Sequence, residues 1–394
     1  MVVIFNKNDM KKNAKRKFYM MLTCSVIMFL SCKQTDFRSE VVTINDNDAV
    51  EVNFEDVAKN VRVVPLKSDS LLYGCYEMQC YGNDIFILGD NSKIIYYFHN
   101  DSLKSVLEEV GRGPGEYINI GQFTYDTEEK MLYVISLIGN EILWYSVPDM
   151  KFCGKTTLSC NVNAFMVHDK NTFLISCDTD SSYVLDLIDK TSGKVIKHIQ
   201  TLSVYAYNAC NRTLLGYSHN NNTLSVLGTE NVVYSIGDNM VVDTLIKYGF
   251  GDKNYPEKYI NPDVDDITIL SEYLHYISSD EYNDCLRGGY FMRMEDDGLS
   301  FWYSTAKPSV QKDYMYYRCS DSDTLNLKGF KVPGLKYQIA PKCITDDGYA
   351  AVFEGIADNY IDPDTEPSPL AKQIIKAMDA QRDENPVLVY FDIK

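Results

Sequence analysis

Residues 85–98 form the clearest strand pair of the sequence, and they read IFILGDNSKIIYYF. Two apolar runs rich in Ile, Phe and Tyr flank a polar turn, which predicts a β-hairpin. Comparable hairpins start at Met131, Phe173 and Leu224, so successive starts are separated by 46, 42 and 51 residues. A period of about 40–50 residues with several short strands per repeat is typical of β-propeller blades. The sequence therefore predicts an all-β propeller.

Two segments interrupt the strand pattern. Residues 251–285 are rich in Tyr, Asp and Asn, and we interpret them as an inserted loop region with a short helix near Ile267–Tyr276. Residues 368–383 predict a helix, because Ser368 is a favourable N-cap and Pro369 suits the first helical position. Apolar residues follow on one face at i, i+4 and i+8. The expected fold is thus a propeller with one insertion and one C-terminal helix before its last strand.

The ring is expected to close through the two ends of the chain. The final apolar run, Val387–Ile393, is predicted to share a blade with a strand near Val61–Leu66. Such pairing removes two free strand edges. At the observed period, roughly 340 residues hold six or seven blades, or six blades with insertions.

The first residues resemble a lipoprotein signal. A basic stretch at residues 11–17 precedes the apolar run 18–30, which is shorter than the ~20 residues that span a bilayer but fits a signal peptide. The run ends in Leu30-Ser31-Cys32, which resembles a lipobox, although Phe29 stands where that motif prefers Leu. We predict a cleaved signal at 1–31, a lipidated tether at 32–54 that begins with Cys32, and a propeller domain at 55–394. The alternative is an ordinary secretory signal with a chance cysteine.

The net charge of the chain argues against one class of partner. The formal net charge is −17, and removing residues 1–31 takes away six basic residues and one acidic residue, which leaves −22. Binding to nucleic acid requires clustered basic residues, so we expect no nucleic acid partner. We expect the membrane to be contacted through the lipid anchor, and the protein to reside in the bacterial cell envelope.

The cysteines do not form a recognisable framework. Of 11 cysteines, two lie within residues 1–32, and the remaining nine are an odd number, so at least one thiol is free or pairs between molecules. Two pairs are close enough in sequence to cross a hairpin, namely Cys75 with Cys80 and Cys153 with Cys160. We favour buried thiols within strands, such as Cys177, over a disulfide framework.

A glycine-rich motif follows the strand that ends near Val110. It consists of Gly111, Arg112, Gly113, Pro114, Gly115, Glu116 and Tyr117. Its backbone N–H groups and Arg112 suit an anion, but the Lys-Ser/Thr pair of a P-loop is absent and no helical pattern follows. We favour a tight connection between blades that needs positive φ at glycine. Glu116 then caps backbone donors of the loop or faces the central channel.

With the closing sequence NPVLVY at residues 385–390 and the lipobox, this motif resembles the six-bladed β-propeller lipoproteins of Bacteroidota, whose fold is similar to that of NHL-repeat propellers. The resemblance covers most of residues 55–394. It implies six blades and a place in the cell envelope. It implies no activity, because the function of that family is largely unknown.

Candidate ligand-binding residues are few. The five histidines, at positions 99, 168, 198, 219 and 275, show no i, i+3 or i, i+4 pair, so we assign no metal site to them. A structural Ca²⁺ at the mouth of the channel is a weaker hypothesis, with Asp126 and Glu116 as candidate ligands. The tyrosines of the insertion are the best candidate ligand surface, because loops on a rigid scaffold often carry function: Tyr255, Tyr259, Tyr273 and Tyr276.

Two classes of function fit these observations. One is a binding or scaffold module for a glycan, a peptide or a partner protein of the envelope. The other is a hydrolase or lyase with a metal or an acid pair in the central channel. No nucleophile elbow or Ser/His/Asp set can be assembled from the sequence, so we favour the binding module.

Overall fold

The computed structural model describes residues 41–69, 71–72, 74–136, 140–178, 182–203, 214–217, 223–226, 231–236, 241–254, 256, 267–295, 298–306, 313–320, 323–381 and 385–394. Six antiparallel sheets form the six blades of a β-propeller, as predicted. The innermost strands of neighbouring blades lie next to each other around the central channel. Among the described residues, no helix is both long enough and apolar enough to cross a membrane.

The N-terminal segment runs along the outer rim of three blades. It contains β1 (Val41–Thr43), β2 (Val50–Asn53), a single helical turn α1 (Phe54–Val57) and β3 (Ala58–Pro65). β1 and β2 add in parallel to the outermost strands of the fourth and fifth blades, and β3 is the outermost strand of the sixth. β1 and β2 thus pair with propeller strands although they precede residue 55, the predicted start of the domain.

In the first three blades the strands follow one another from the channel outwards. The first blade consists of β4 (Glu77–Tyr81), β5 (Asp84–Gly89), β6 (Ile94–His99) and β7 (Ser102–Leu107). The second blade consists of β8 (Ile120–Asp126), β9 (Met131–Ser136), β10 (Glu141–Ser146) and β11 (Lys151–Thr157). The third blade consists of β12 (Asn161–Val167), β13 (Thr172–Asp178), β14 (Ser182–Asp189) and β15 (Val195–Ser203).

The other three blades have the same inner-to-outer order. The fourth consists of β16 (Leu214–Tyr217), β17 (Thr223–Val226), β18 (Val232–Ile236) and β19 (Val242–Gly249). The fifth consists of β20 (Leu286–Glu295), β21 (Gly298–Thr305), β22 (Tyr314–Ser320) and β23 (Thr324–Lys331). The sixth consists of β24 (Cys343–Thr345), β25 (Gly348–Phe353), β26 (Val387–Ile393) and β3.

The chain ends meet inside the sixth blade, which confirms the predicted closure. β26 pairs with β3 in antiparallel register, so that Leu388 lies opposite Val64 and Val389 opposite Val63. The residues before β26 fix the same junction. The buried Asn385 accepts a hydrogen bond from the backbone N–H of Leu72 at 3.0 Å. The closing sequence NPVLVY at residues 385–390 thus has a structural role.

Both predicted helices are present, and a short third one follows the first of them. α2 (Ile267–Tyr276) and α3 (Asp280–Asp284) belong to the insertion between the fourth and fifth blades. α4 (Pro369–Asp379) precedes β26, and the Ser368 side chain accepts a hydrogen bond from a backbone N–H of its first turn. α4 buries one apolar stripe, which includes Ile374, against the sixth blade.

Aromatic side chains fill the spaces between blades. The fully buried Trp302 of the fifth blade contacts Tyr349 and Phe391 of the sixth, with ring centroids 5.7 and 6.3 Å apart. Phe54 of α1 packs edge-on against Phe391 at 5.0 Å. Most of the largest fully buried side chains are Tyr or Phe. Packing between strands therefore accounts for much of the high tyrosine content.

The cysteines differ from the sequence expectation. Cys160 and Cys177 form a disulfide that links the start of the third blade to its second strand. The interpretation of Cys177 as a buried thiol is wrong. The suggested Cys75–Cys80 and Cys153–Cys160 pairs do not form, because Cys75, Cys80 and Cys153 are free. Strand register brings Cys177 opposite Val162, close to Cys160, and this register is not visible in the sequence.

Candidate functional site

The two faces of the propeller are built differently. Because the strands of each blade alternate in direction, the second-to-third-strand and blade-to-blade connections share one face, which we name the loop face. The other connections form the turn face. The long connections of the loop face are residues 66–76, 108–119, 250–285, 332–342 and 354–386. The turn face has connections of two to five residues, such as 82–83, 127–130, 168–171 and 346–347.

Exposed apolar side chains concentrate on the loop face. Twelve large apolar side chains are exposed among the residues that the structure describes, and half of them lie in loop-face connections. These six are Leu71, Tyr76, Val110, Leu274, Tyr337 and Ile356. Within the same described residues, the connections of the turn face contribute only Val241. The loop face is therefore the better candidate for an interaction surface.

The glycine-rich motif is a rigid connection between the first and second blades. The N–H of Gly113 donates a hydrogen bond to Glu116 Oε2 at 2.6 Å, so Glu116 caps the loop from within. Gly115 has φ of +77°, and a Cβ added there would lie 2.5 Å from the ring of Phe152. The buried Tyr117 hydroxyl donates to the carbonyl oxygens of Lys93 and Leu107. These contacts support the structural interpretation of the motif over an anion site.

The predicted tyrosine surface is only partly described. Tyr255 and Tyr259 lie outside the described residues, and for Tyr273 only the backbone position within α2 is described. Tyr276 is buried, and its ring lies edge-on to Tyr282 with centroids 5.6 Å apart. Tyr276 thus anchors the insertion and does not present its ring at the surface. Leu274, two residues earlier on α2, is exposed on the loop face.

A second anchor holds the insertion at the start of the fifth blade. The Arg287 guanidinium donates a hydrogen bond to the Tyr282 hydroxyl at 2.8 Å and lies over the Tyr282 ring at 5.2 Å. Arg287 is the second residue of β20, the innermost strand, so this contact ties α3 to the rim of the channel. The described helices of the insertion, α2 and α3, are therefore held to the propeller at the loop face.

Charged groups gather at the loop-face mouth of the channel, between the sixth and first blades. Lys342 directly precedes β24, Glu354 directly follows β25, and Glu77 begins β4. Burial raises the pKa of the Glu354 carboxyl, and the positive charge of Lys342 opposes this shift. In the described part of the chain, Glu354 Oε1 has no hydrogen-bond partner. No motif or spacing in the sequence indicates this group, because its members come from distant positions.

A row of polar contacts continues from Glu77 along the channel wall. The Gln79 side chain donates to Glu77 Oε1 at 2.7 Å and to the carbonyl oxygen of Phe123 in the second blade at 2.8 Å. The Tyr81 hydroxyl donates to Gln79 Oε1 at 2.7 Å, and burial raises the pKa of Tyr81 to about 12. The wall is therefore polar but internally satisfied, and it keeps neighbouring inner strands in register.

The structure does not assemble the proposed calcium ligands. Asp126 is buried on the turn face, where its Oδ2 accepts from the Lys190 ammonium at 3.1 Å and its Oδ1 accepts from two backbone N–H groups. Glu116 lies on the loop face. His99 and His198 each contact one aspartate, Asp84 and Asp186, at 2.7 Å. Within the described ranges, no group of three or more His, Cys, Asp or Glu is placed to hold a metal ion.

The fold and this site define a six-bladed propeller with one elaborated face. The chain belongs to the family described as a domain of unknown function (DUF4934), whose model matches residues 38–392. No curated protein matches it.

Two crystal structures share the fold. One is described as a "putative exported protein" of Bacteroides fragilis NCTC 9343, with 16% identity and a TM-score of 0.66, and the alignment covers 90% of this chain and 100% of that one. The other is a member of the DUF4221 family from Bacteroides vulgatus ATCC 8482, with 11% identity and a TM-score of 0.54, covering 86% and 98%. At these identities, the likeness establishes the fold.

Proposed function

We propose that this chain is an exported lipoprotein of the cell envelope, held to a membrane by lipid on Cys32, whose propeller binds a glycan, a peptide or a partner protein through the loop face. The compartment is supported by the basic and apolar N-terminal segment that ends at Cys32. It is also supported by the description of the similar Bacteroides fragilis structure as exported. The net negative charge argues against a nucleic acid partner.

The distribution of exposed apolar side chains carries the proposal of a binding role. Tyr337 and Ile356 are exposed on two connections that lie side by side, since the Tyr337 ring is 6.0 Å from that of Tyr360, and adjoining apolar surface rimmed by polar residues is typical of interaction sites. The surrounding scaffold is rigid, because its blades are packed by buried aromatic rings. Loops on a rigid scaffold lose little conformational freedom when they bind.

A capture experiment with matched variants tests the binding face. The immobilised mature chain is exposed to envelope fractions of the native bacterium and to glycan and peptide arrays. The double variant Tyr337→Ala/Ile356→Ala alters the loop face, and Lys170→Ala alters the turn face. We expect the double variant to lose about tenfold or more in affinity for the ligand found, while Lys170→Ala retains it. Equal binding by all three proteins would contradict the choice of face.

The anchor is tested separately. In the wild type, labelled fatty acid should be incorporated and the protein should sediment with membranes. In Cys32→Ser, we expect both the label and the membrane association to be lost. If Cys32→Ser stayed in the membrane fraction, the lipid on Cys32 would not be the anchor.

A second candidate function is acid catalysis at the channel mouth. The observation that favours it is the Glu354 carboxyl, whose pKa is raised by burial, beside Glu77 and Lys342. Perturbed carboxyls of this kind are common in hydrolases and lyases. If the captured ligand is converted by the wild type and recovered intact from Glu354→Gln, the enzyme is preferred. A divalent ion retained stoichiometrically through dialysis would also favour the enzyme.

A further inference from the structure

We infer that Cys80 and Cys343 form a redox-dependent disulfide that covalently closes the propeller ring. Cys80 lies on β4 of the first blade, and Cys343 begins β24 of the sixth. Their Sγ atoms are 3.3 Å apart, although the residues are separated by 263 positions. A disulfide has an S–S distance of about 2.05 Å, so the two sulfurs need to approach by little more than 1 Å.

The position of this pair explains what the bond would do. The chain connects each blade to the next, including the sixth to the first, because β3 leads into residues 66–76 and then β4. Closure of the ring therefore depends on the hydrogen bonds between β26 and β3 inside the sixth blade. Cys80 follows β3 and Cys343 precedes β26, so a bond between them ties the two ends of the chain across that closure.

The surroundings favour a slow, controlled exchange. Cys343 is buried, and burial together with the neighbouring Cys80 thiol raises its pKa well above the ordinary value. A third thiol of the same cluster, Cys75, has its pKa raised by burial to about 12. Cys80 is the more exposed member of the close pair. Cys80 is thus the sulfur that a disulfide oxidant reaches first, and Cys343 is the resolving thiol.

The reaction is a thiol–disulfide exchange. The Cys80 thiolate attacks one sulfur of an external disulfide, which breaks the external S–S bond, forms a mixed disulfide and releases one thiolate. The Cys343 thiolate then attacks Cys80 Sγ, forms the Cys80–Cys343 bond and releases the second thiolate. The two protein thiols lose two protons and two electrons, and the external disulfide is reduced to two thiols.

In the cell, this inference rests on the proposed export, because disulfides persist in oxidising compartments. The Cys160–Cys177 disulfide is consistent with such a compartment. Cys80 is the fourth residue of β4 and Cys343 is the first of β24, so the bond would join the innermost strands of the first and sixth blades. The redox state of the pair is therefore coupled to the stability of the closed ring.

Thiol mapping on the purified mature chain tests the pair. The chain carries Cys32→Ser to prevent lipidation, is reduced mildly and is then incubated with oxidised glutathione. We expect two fewer free thiols and a non-reduced peptide that joins Cys80 to Cys343. In Cys343→Ser that peptide is absent, and in Cys153→Ser, which alters an exposed cysteine on β11, it is retained. Failure of the wild type to form this peptide, or a Cys75–Cys80 peptide in its place, would overturn the inference.

Thermal melting gives a second readout. Oxidation of the wild type should raise Tm by about 5 °C or more, because a crosslink across so long a loop restricts the unfolded chain strongly. Cys343→Ser should melt at the same temperature with and without oxidant. An equal rise in Cys343→Ser would refute the assignment, and if this variant does not fold, the wild-type peptide map decides. Thiol trapping in intact cells tests export separately. If the Cys80–Cys343 bond forms in vitro but not in cells, the result counts against export and leaves the assignment of the cysteine pair intact.

Discussion

Removal of residues 386–394 deletes the strand that closes the ring. β26 has β25 on one edge and β3 on the other, so it cannot be replaced by a neighbour. Five of its apolar side chains are no more than 2% exposed, namely Val387, Leu388, Val389, Phe391 and Ile393. At about 1.5–3 kcal/mol for each buried side chain, their loss removes about 8–15 kcal/mol. This matches the entire free energy of unfolding of a typical domain, about 5–15 kcal/mol, so we expect the truncated chain not to fold.

Circular dichroism and differential scanning fluorimetry check this expectation. The truncated chain should show no cooperative melt and should expose apolar surface. The matched control deletes residues 33–43, which removes only β1, a three-residue strand at the outer edge of the fourth blade. That control should fold. If the chain truncated at residue 385 melted cooperatively within a few degrees of the full-length protein, the closure through β26 and β3 would be refuted.

Three further predictions concern single sites and are read from urea unfolding or thermal melting. Gly115→Ala should lower the free energy of unfolding by about 1–3 kcal/mol because of the positive φ, and by more because the new Cβ meets the Phe152 ring. Gly251→Ala, at φ of +62° with open space around it, should lose only the backbone contribution. Equal losses in the two variants would contradict the packing argument. Lys190→Met should lower the free energy of unfolding by about 3–5 kcal/mol, because the buried Asp126 carboxylate loses its cation. A loss below about 1 kcal/mol would show that water replaces the ammonium. Glu354→Gln should stabilise the protein at pH 7 but not at pH 4. Burial raises the pKa of the Glu354 carboxyl above its ordinary 4.5, so the ionised form present at pH 7 disfavours folding. A difference in Tm that does not change with pH would contradict this explanation.

The strand repeat was readable from the sequence because each blade has its own local pattern. The run at residues 85–98 became β5 and β6, and the later hairpins became the corresponding strands of the next three blades. Apolar residues that alternate over five or more positions report burial without any knowledge of their partners. The helix that begins at Pro369 was equally visible, because a cap, a proline and a periodic apolar face are all local signals.

The strands of the outer rim, β1 and β2, could not be predicted, because their pattern is not local. β1 has three residues and β2 has four, and their outward-facing positions remain exposed, as Val41 and Val50 show. Their strand character comes from parallel pairing with β19 and β23, which lie about 200 and 280 residues later in the chain. A polar tether and a short edge strand have the same composition, so the sequence pattern alone does not indicate β1 or β2.

The candidate site could not be predicted from the sequence, because its residues come together only when the ring closes. Glu77 begins the first blade, while Lys342 and Glu354 belong to the sixth, and no spacing in the sequence relates them. Conversely, Tyr276 stands in a tyrosine-rich insertion that suggested a surface, yet its ring serves to pack the insertion against the propeller. Composition drew attention to this insertion but could not indicate that the Tyr276 ring packs inward.

Three unusual features meet at the junction of the chain ends. There, Asn385 binds the backbone of the connection to the first blade, and Cys80 lies within contact of Cys343. Glu354 occupies the same junction with a raised carboxyl pKa, which costs stability at neutral pH. A ring gains most from reinforcement where its closure is non-covalent, and a thiol pair at that place can switch the reinforcement on and off. Because the two ends of the chain pair in this blade, a change in the stability of the junction changes the stability of the whole ring.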